Sequence, residues 1–165
     1  MTGLDSESKL QIQAMSVIHH SAICVSDMDA SLRFWRDGLG FEVVMDHRFE
    51  GDWPALFGAP SESLRAVFLG EPATPGSGIV ELLDLGDVGP GRPPDSPASN
   101  GIVLLSVFTD LTAVLERLSV LGSGGVPRRI EVSGVAMAVV SDPDGVLVEL
   151  VDSGAAGNLE PLSGS

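Results

Sequence analysis

One cysteine, no tyrosine and nine basic residues in a chain of 165 set the first limits. A single thiol, Cys24, excludes an internal disulfide framework. It lies in an apolar, strand-like run and is expected to be a buried, inert thiol. Nine basic residues against 23 acidic ones leave a formal net charge of −14. A field of that sign repels phosphate backbones and anionic lipid, which argues against nucleic acid and membrane surfaces as partners. No apolar run approaches the roughly 18 residues of a membrane span. Residues 1–15 are polar and lack a signal-peptide apolar core, so a cytoplasmic location is expected. Aromatic residues are few, six Phe and two Trp. A cavity that holds a flat ligand uses stacked rings, so this scarcity argues against a sequestering role, with Trp53 and Phe57 left as a pair that can line such a pocket.

What is present is a globular composition, 44% hydrophobic and 19% charged, enough for one compact domain or two small halves sharing a core. Two stretches nearly repeat each other: Val80-Glu81-Leu82-Leu83-Asp84 and Val148-Glu149-Leu150-Val151-Asp152. A carboxylate inside an apolar strand is costly to bury unless something partners it. Its recurrence at matching places points to a duplicated module, each copy directing one Glu toward a shared site. Between the copies runs Gly89-Pro90-Gly91-Arg92-Pro93-Pro94-Asp95, too rich in proline for a helix or a central strand. The expected organisation is an N-terminal extension (1–16), a first module (17–85), a linker (86–100), a second module (101–152) and a flexible tail (153–165).

A shift of 83 residues lays Val25-Ser26-Asp27-Met28 on Phe108-Thr109-Asp110-Leu111. In both places an apolar strand runs into an Asp at a helix start. The spacing predicts helices over Met28–Gly38 and Leu111–Leu121, stopped by Gly40 and Gly122. Met28, Leu32, Trp35 and Leu39 form the apolar stripe of the first. Strands are expected at 41–47, 64–69 and 78–83, and again at 127–132, 135–141 and 146–151, with Asp142-Pro143-Asp144-Gly145 a turn between the last two. The fold class is therefore α+β, built as β-α-β-β-β twice. Asp52-Trp53-Pro54-Ala55-Leu56-Phe57 is extra to the first half and reads as a short helix over a cavity mouth.

His20-Ser21-Ala22-Ile23-Cys24-Val25-Ser26-Asp27, Ser31-Leu32-Arg33-Phe34-Trp35 with Leu39-Gly40-Phe41, and Asp142-Pro143-Asp144-Gly145-Val146-Leu147-Val148-Glu149-Leu150 resemble the vicinal oxygen chelate superfamily. That superfamily includes glyoxalase I, methylmalonyl-CoA epimerase, extradiol dioxygenases and bleomycin- or fosfomycin-resistance proteins. The resemblance covers roughly residues 17–152. It implies two βαβββ modules forming a curled mixed sheet around one cavity, a glyoxalase-like fold. It also implies a divalent metal, Zn, Ni, Co, Mn or Fe, held by the first and last strands of each module. Carried across, the metal ligands are His20, Glu81 and Glu149. The fourth position falls on Val103, or on Leu104 after a one-residue adjustment, and neither can bind a metal.

Strand alternation is consistent with this set. His20, Ala22 and Cys24 share one face of their strand, and Glu81 and Glu149 each lie on one face of theirs. His19 faces the other way and is expected to be structural; His47 is expected to be exposed. Arg128 and Arg129 alternate, so at most one points inward, as an anion contact or a carboxylate partner. Two functions from different classes follow. The first is a metal-dependent lyase or isomerase that takes a proton from the carbon beside a carbonyl, with Glu149 as base and Glu81 second. The alternative is a metal-free protein that binds a small molecule, as resistance proteins do. Extradiol dioxygenase chemistry wants two His and a carboxylate on iron, and only one cavity His is found. Relatives implied by the resemblance are commonly homodimers, and open sheet edges favour pairing.

Overall fold

Aspartates open both principal helices. In the computed structural model, which describes residues 18–71, 73, 78–93, 96–97 and 100–154, Asp27 Oδ1 accepts a hydrogen bond from the Ala30 amide at 3.0 Å and Asp110 Oδ1 one from Ala113 at 2.9 Å. The expected N-terminal extension, Pro94 and Asp95 of the linker, and the chain beyond 154 lie outside the described residues. The first module runs β1 (His20–Cys24), α1 (Met28–Leu32) continuing into a π-helical turn (Arg33–Gly38), β2 (Glu42–Glu50), α2 (Trp53–Phe57), β3 (Ser63–Gly70) and β4 (Ile79–Asp84). The second runs β5 (Leu105–Thr109), α3 (Leu111–Leu121), β6 (Arg128–Val132), β7 (Val135–Ser141) and β8 (Leu147–Asp152).

Each module makes a four-stranded mixed sheet, in the orders β1-β4-β3-β2 and β5-β8-β7-β6, with its first and last strands parallel and the remaining pairs antiparallel. The α+β, two-module architecture is thus the one the sequence implied. The two sheets stay separate and do not close into a barrel.

The first helix departs from a plain amphipathic stripe. Beyond Leu32 its winding widens, and the Leu39 amide bonds to Phe34 O, five residues back, at 3.0 Å. The wider turn brings Phe34 inward with Trp35, and both are fully buried. They pack with Leu32, Leu118 and the helix-side residues Val67, Leu82, Val140 and Leu150, so one core spans both modules. Gly38 makes the close approach possible: a Cβ there would lie 2.5 Å from Leu118 Cδ2.

Arg117 Nε of α3 donates to Gly38 O at 3.0 Å across the modules, and the other polar links between them gather at the Asp142–Gly145 turn. The Trp35 indole donates to Asp142 Oδ2 at 3.3 Å, and Asp142 Oδ1 accepts from the amides of Asp144 and Val146. Asp144 Oδ1 accepts from the Ser26 amide at 3.1 Å, while its carbonyl accepts from the Arg92 amide of the linker. Desolvation raises the Asp142 carboxyl above its ordinary value, opposed by those three hydrogen bonds. No helix among the described residues is long and apolar enough to cross a membrane.

Candidate functional site

In each sheet one face meets the helices and the other is left for chemistry. In the first module Ile23, Val67, Leu69, Val80 and Leu82 turn toward the helices. Period-2 alternation then sends His20, Ala22 and Cys24 of β1, Ala66 and Phe68 of β3, and Glu81 and Leu83 of β4 to the opposite face.

There His20 and Glu81 meet. His20 Nε2 lies 3.0 Å from Glu81 Oε2, with the imidazole side chain 35% exposed and the carboxylate side chain 11% exposed. The ring is set by Phe68, edge-on at 5.5 Å between centroids, which stands opposite Glu81 in the β3–β4 ladder. Desolvation raises the Glu81 carboxyl above its ordinary value, and the charges of His20 and His19 act against it. A half-hidden acid with a perturbed affinity for protons, touching an imidazole at the rim, is a pattern of functional sites.

Glu149 sits elsewhere, on β8 of the second sheet. There Ser106 Oγ of β5 donates to its Oε2 at 2.7 Å. Ladder register also settles the fourth position. Ala22 stands opposite Glu81 and Ser106 opposite Glu149, so Leu104, one place beyond Val103, is the counterpart of His20. His20 and Glu81 are therefore brought together and Glu149 is held by a different partner. Among the described residues no three His, Cys, Asp or Glu side chains are gathered to hold a metal ion. Of the four corresponding strand positions, three carry His20, Glu81 and Glu149 and the fourth carries the alkyl side chain of Leu104.

Other expectations are corrected or refined. Cys24 is exposed rather than buried, since β1 is an edge strand and Cys24 shares the outward face with His20. Desolvation and the charge of Asp144 nonetheless raise its thiol, which keeps it a poor nucleophile. His19 is exposed, its Nδ1 2.7 Å from that of His20. His47 is exposed, as expected. Arg128 pairs with Val139, itself opposite Glu149, so Arg128 shares the face of Glu149 and Arg129 takes the other. Ser106 went unnoticed in the sequence, although a hydroxyl in register with a strand carboxylate is a readable signal. A cavity of about 800 Å³ between α1 and the loop after α3 includes Asp29, Arg33 and Asp142 but none of His20, Glu81 or Glu149.

The sequence model of the Glyoxalase/Bleomycin resistance protein/Dioxygenase superfamily matches residues 17–150. The chain belongs to this superfamily. It is 33% identical over 145 residues to the lactoylglutathione lyase-like protein terB of Aspergillus terreus, covering 81% of this chain and 74% of that one. Among solved structures, a glyoxalase family protein from Enterococcus faecalis is 27% identical with a TM-score of 0.59, covering 82% of this chain and 96% of that one. The trypanothione-dependent glyoxalase I of Leishmania major is 23% identical with a TM-score of 0.60, covering 87% and 91%, and shows the shared fold. Within this superfamily fold the chain pairs its first-strand His20 with its fourth-strand Glu81 and carries Leu104 at the position in the second module that corresponds to His20.

Proposed function

We propose that the face carrying His20 and Glu81 binds a small carbonyl compound and moves a proton at the carbon beside the carbonyl, as a lyase or an isomerase. The observation that carries this reading is the pair itself: a buried carboxylate 3.0 Å from an imidazole that reaches the open rim. Glu81 takes the proton, its basicity strengthened by partial removal from water. His20 holds the carboxylate in place and is set to pass the proton to solvent. Glu149, partnered by Ser106, is the second candidate base. The name of the 33%-identical relative, a lactoylglutathione lyase-like protein, supports the lyase side of the reading. A cytoplasmic setting, where a lone thiol stays reduced, and a homodimer belong to the same proposal.

The test follows solvent deuterium entering the carbon beside the carbonyl of hydroxyacetone and 2-hydroxyacetophenone by NMR. Exchange by the wild type that falls at least about 100-fold in Glu81→Gln, and survives EDTA, is the expected result. Exchange unchanged in Glu81→Gln overturns it. Near-stoichiometric metal in protein purified without chelators, lost in His20→Ala, would replace the proton pair by a coordination site. A second reading, a metal-free binding protein, is favoured by Leu104 at the place of a second His. It predicts ligand binding without exchange.

A further inference from the structure

Each sheet ends in two edge strands, and β2 is the longest of the four, nine residues against five in β1, β5 and β6. All of its residues are exposed except the half-buried Phe49. Its ladder with β3 assigns the faces. Met45, His47 and Phe49 stand opposite Phe68, Ala66 and Leu64 and share the face of Glu81. Asp46, Arg48 and Glu50 stand opposite Val67, Arg65 and Ser63, on the face that meets the helices. Charges and a bulge at Val44 guard this edge against indiscriminate pairing. One of those charges is left without a counterpart. Arg65 donates to both carboxylate oxygens of Asp46, at 2.9 and 2.7 Å. Arg48 stands directly opposite Arg65, and among the described residues no carboxylate lies within ion-pair distance of it. A cation set against a cation across a ladder is destabilising, so Arg48 wants an acid on its open side.

Pairing of β2 with a second copy of itself supplies that acid in a single register. Antiparallel strands related by a two-fold axis bring together residues of the same face, so the axis must pass through a residue. Through Asp46 it sets that carboxylate against its own copy. Through Arg48 it sets the guanidinium against its own copy and Asp46 against Glu50. Through Phe49 it leaves only residues 48–50 of the strand in the seam and brings Asp46 opposite Asp52 at the start of α2. Toward the other end the axis runs into the bulge at Val44. Through His47 it sets Asp46 against the partner's Arg48, Arg48 against the partner's Asp46, and Met45 against the partner's Phe49. The last pair lies on the Glu81 face beside His47 and its copy. The seam then runs from Met45 to Phe49, and the bulge bounds it.

Resting on the homodimer in the reading above, we propose that β2 is the dimer seam, paired antiparallel with β2 of a second copy about an axis through His47. The contact is isologous and closes on itself. It joins the two first-module sheets into one of eight strands, with both His20–Glu81 pairs on the same face. The two β4 strands then stand five strand spacings apart, about 24 Å, too far for both sites to act on one small molecule. A net charge of −14 on each copy opposes association. The two exposed ion pairs therefore select the register, while ladder hydrogen bonds and the covering of Met45 supply affinity.

Sedimentation equilibrium of wild type, Asp46→Lys, Arg48→Glu and an equimolar mixture of the two variants tests the seam, with circular dichroism to show that each is folded. Either variant alone sets like charges together at both contacts and is expected to dimerise at least about tenfold more weakly than wild type. Mixing the variants restores opposite charges at both contacts, and dimers are expected to return. In a Cys24→Ser background, His47→Cys is expected to give a disulfide-linked pair under mild oxidation, because opposed residues lie about 4.5–5.5 Å apart at Cα. Glu50→Cys, about 20 Å from its own copy in this register, is expected to stay unlinked. A wild type that sediments as a single chain removes the homodimer and the seam together. A wild-type dimer that both charge variants leave intact overturns the seam and leaves the homodimer standing. So does a mixture that stays dissociated, or a Glu50→Cys that links as readily as His47→Cys. Dissociation by Arg129→Glu in place of Arg48→Glu moves the contact to β6 and overturns the proposal as well.

Discussion

Replacing Trp35 by Phe removes one hydrogen bond from a buried carboxylate and little else. The side chain is fully buried, and its indole nitrogen reaches Asp142 Oδ2 at 3.3 Å. A hydrogen bond to a charged group contributes about 1.5–3 kcal/mol, and a length of 3.3 Å places this one at about 1.5 kcal/mol. The void left by the missing five-membered ring adds about 1 kcal/mol. For a chain of this size each kcal/mol shifts Tm by about 2–4 °C, so Trp35→Phe should melt about 5–10 °C lower. The loss should also depend on pH. Asp142 has its folded-state pKa raised, first by desolvation and last by the charge of Asp144. Its contribution to stability is therefore complete below the unfolded pKa and lost as pH rises through the folded one. Without the indole donor the ionised form is held less well, the folded pKa rises further, and the variant loses more on the alkaline side. Thermal unfolding followed by circular dichroism from pH 4 to 8 should show the gap between wild type and variant narrowing toward acid. A gap that is constant, or absent, refutes the reasoning.

Gly38→Ala should destabilise by about 1–3 kcal/mol, because its Cβ meets Leu118 Cδ2 in a packed core, and should become neutral or favourable in a Leu118→Ala background; a denaturant double-mutant cycle checks the coupling. Gly145 and Gly134 both have φ in the left-handed region, at 84° and 78°, but only at Gly145 does an added Cβ strike backbone, that of Arg92. Gly145→Ala should therefore lower Tm further than Gly134→Ala, by more than the roughly 1–2 kcal/mol that the left-handed backbone alone costs. The edge strand β2 leaves Val43, Val44 and Met45 exposed beside a bulge at Val44. Sedimentation equilibrium should give twice the chain mass for wild type and a shift toward one chain for Val44→Lys, and a wild type that sediments as a single chain removes the homodimer.

Local signals carried much of the architecture. The repeated Val-Glu-Leu segments, the aspartate caps and the period-2 alternation are short-range features. They placed both helices, most strands and the shared face of His20 and Glu81, and β7 came out residue for residue at Val135–Ser141. What alternation does not contain is the distance between two sheets. It aligned Glu149 within its own strand, and nothing local says whether that face meets the face of Glu81. Cys24 was misread because an apolar run does not reveal that its strand lies at an edge. The π-helical widening that draws in Phe34 likewise depends on the partner helix, as Gly38 against Leu118 shows. Ser106 was visible as a residue but acquires meaning only from the ladder register that sets it opposite Glu149.

The Asp142–Gly145 turn also sets an order of events during synthesis. The indole of Trp35 waits for an acceptor 107 residues downstream, and the Ser26 amide for one 118 residues downstream. At 5–20 residues per second the first helix spends roughly 5–20 s outside the ribosome before its anchor is made. In that interval Phe34 and Trp35 lack much of the apolar wall that later covers them. The closing hairpin is the step that completes that wall.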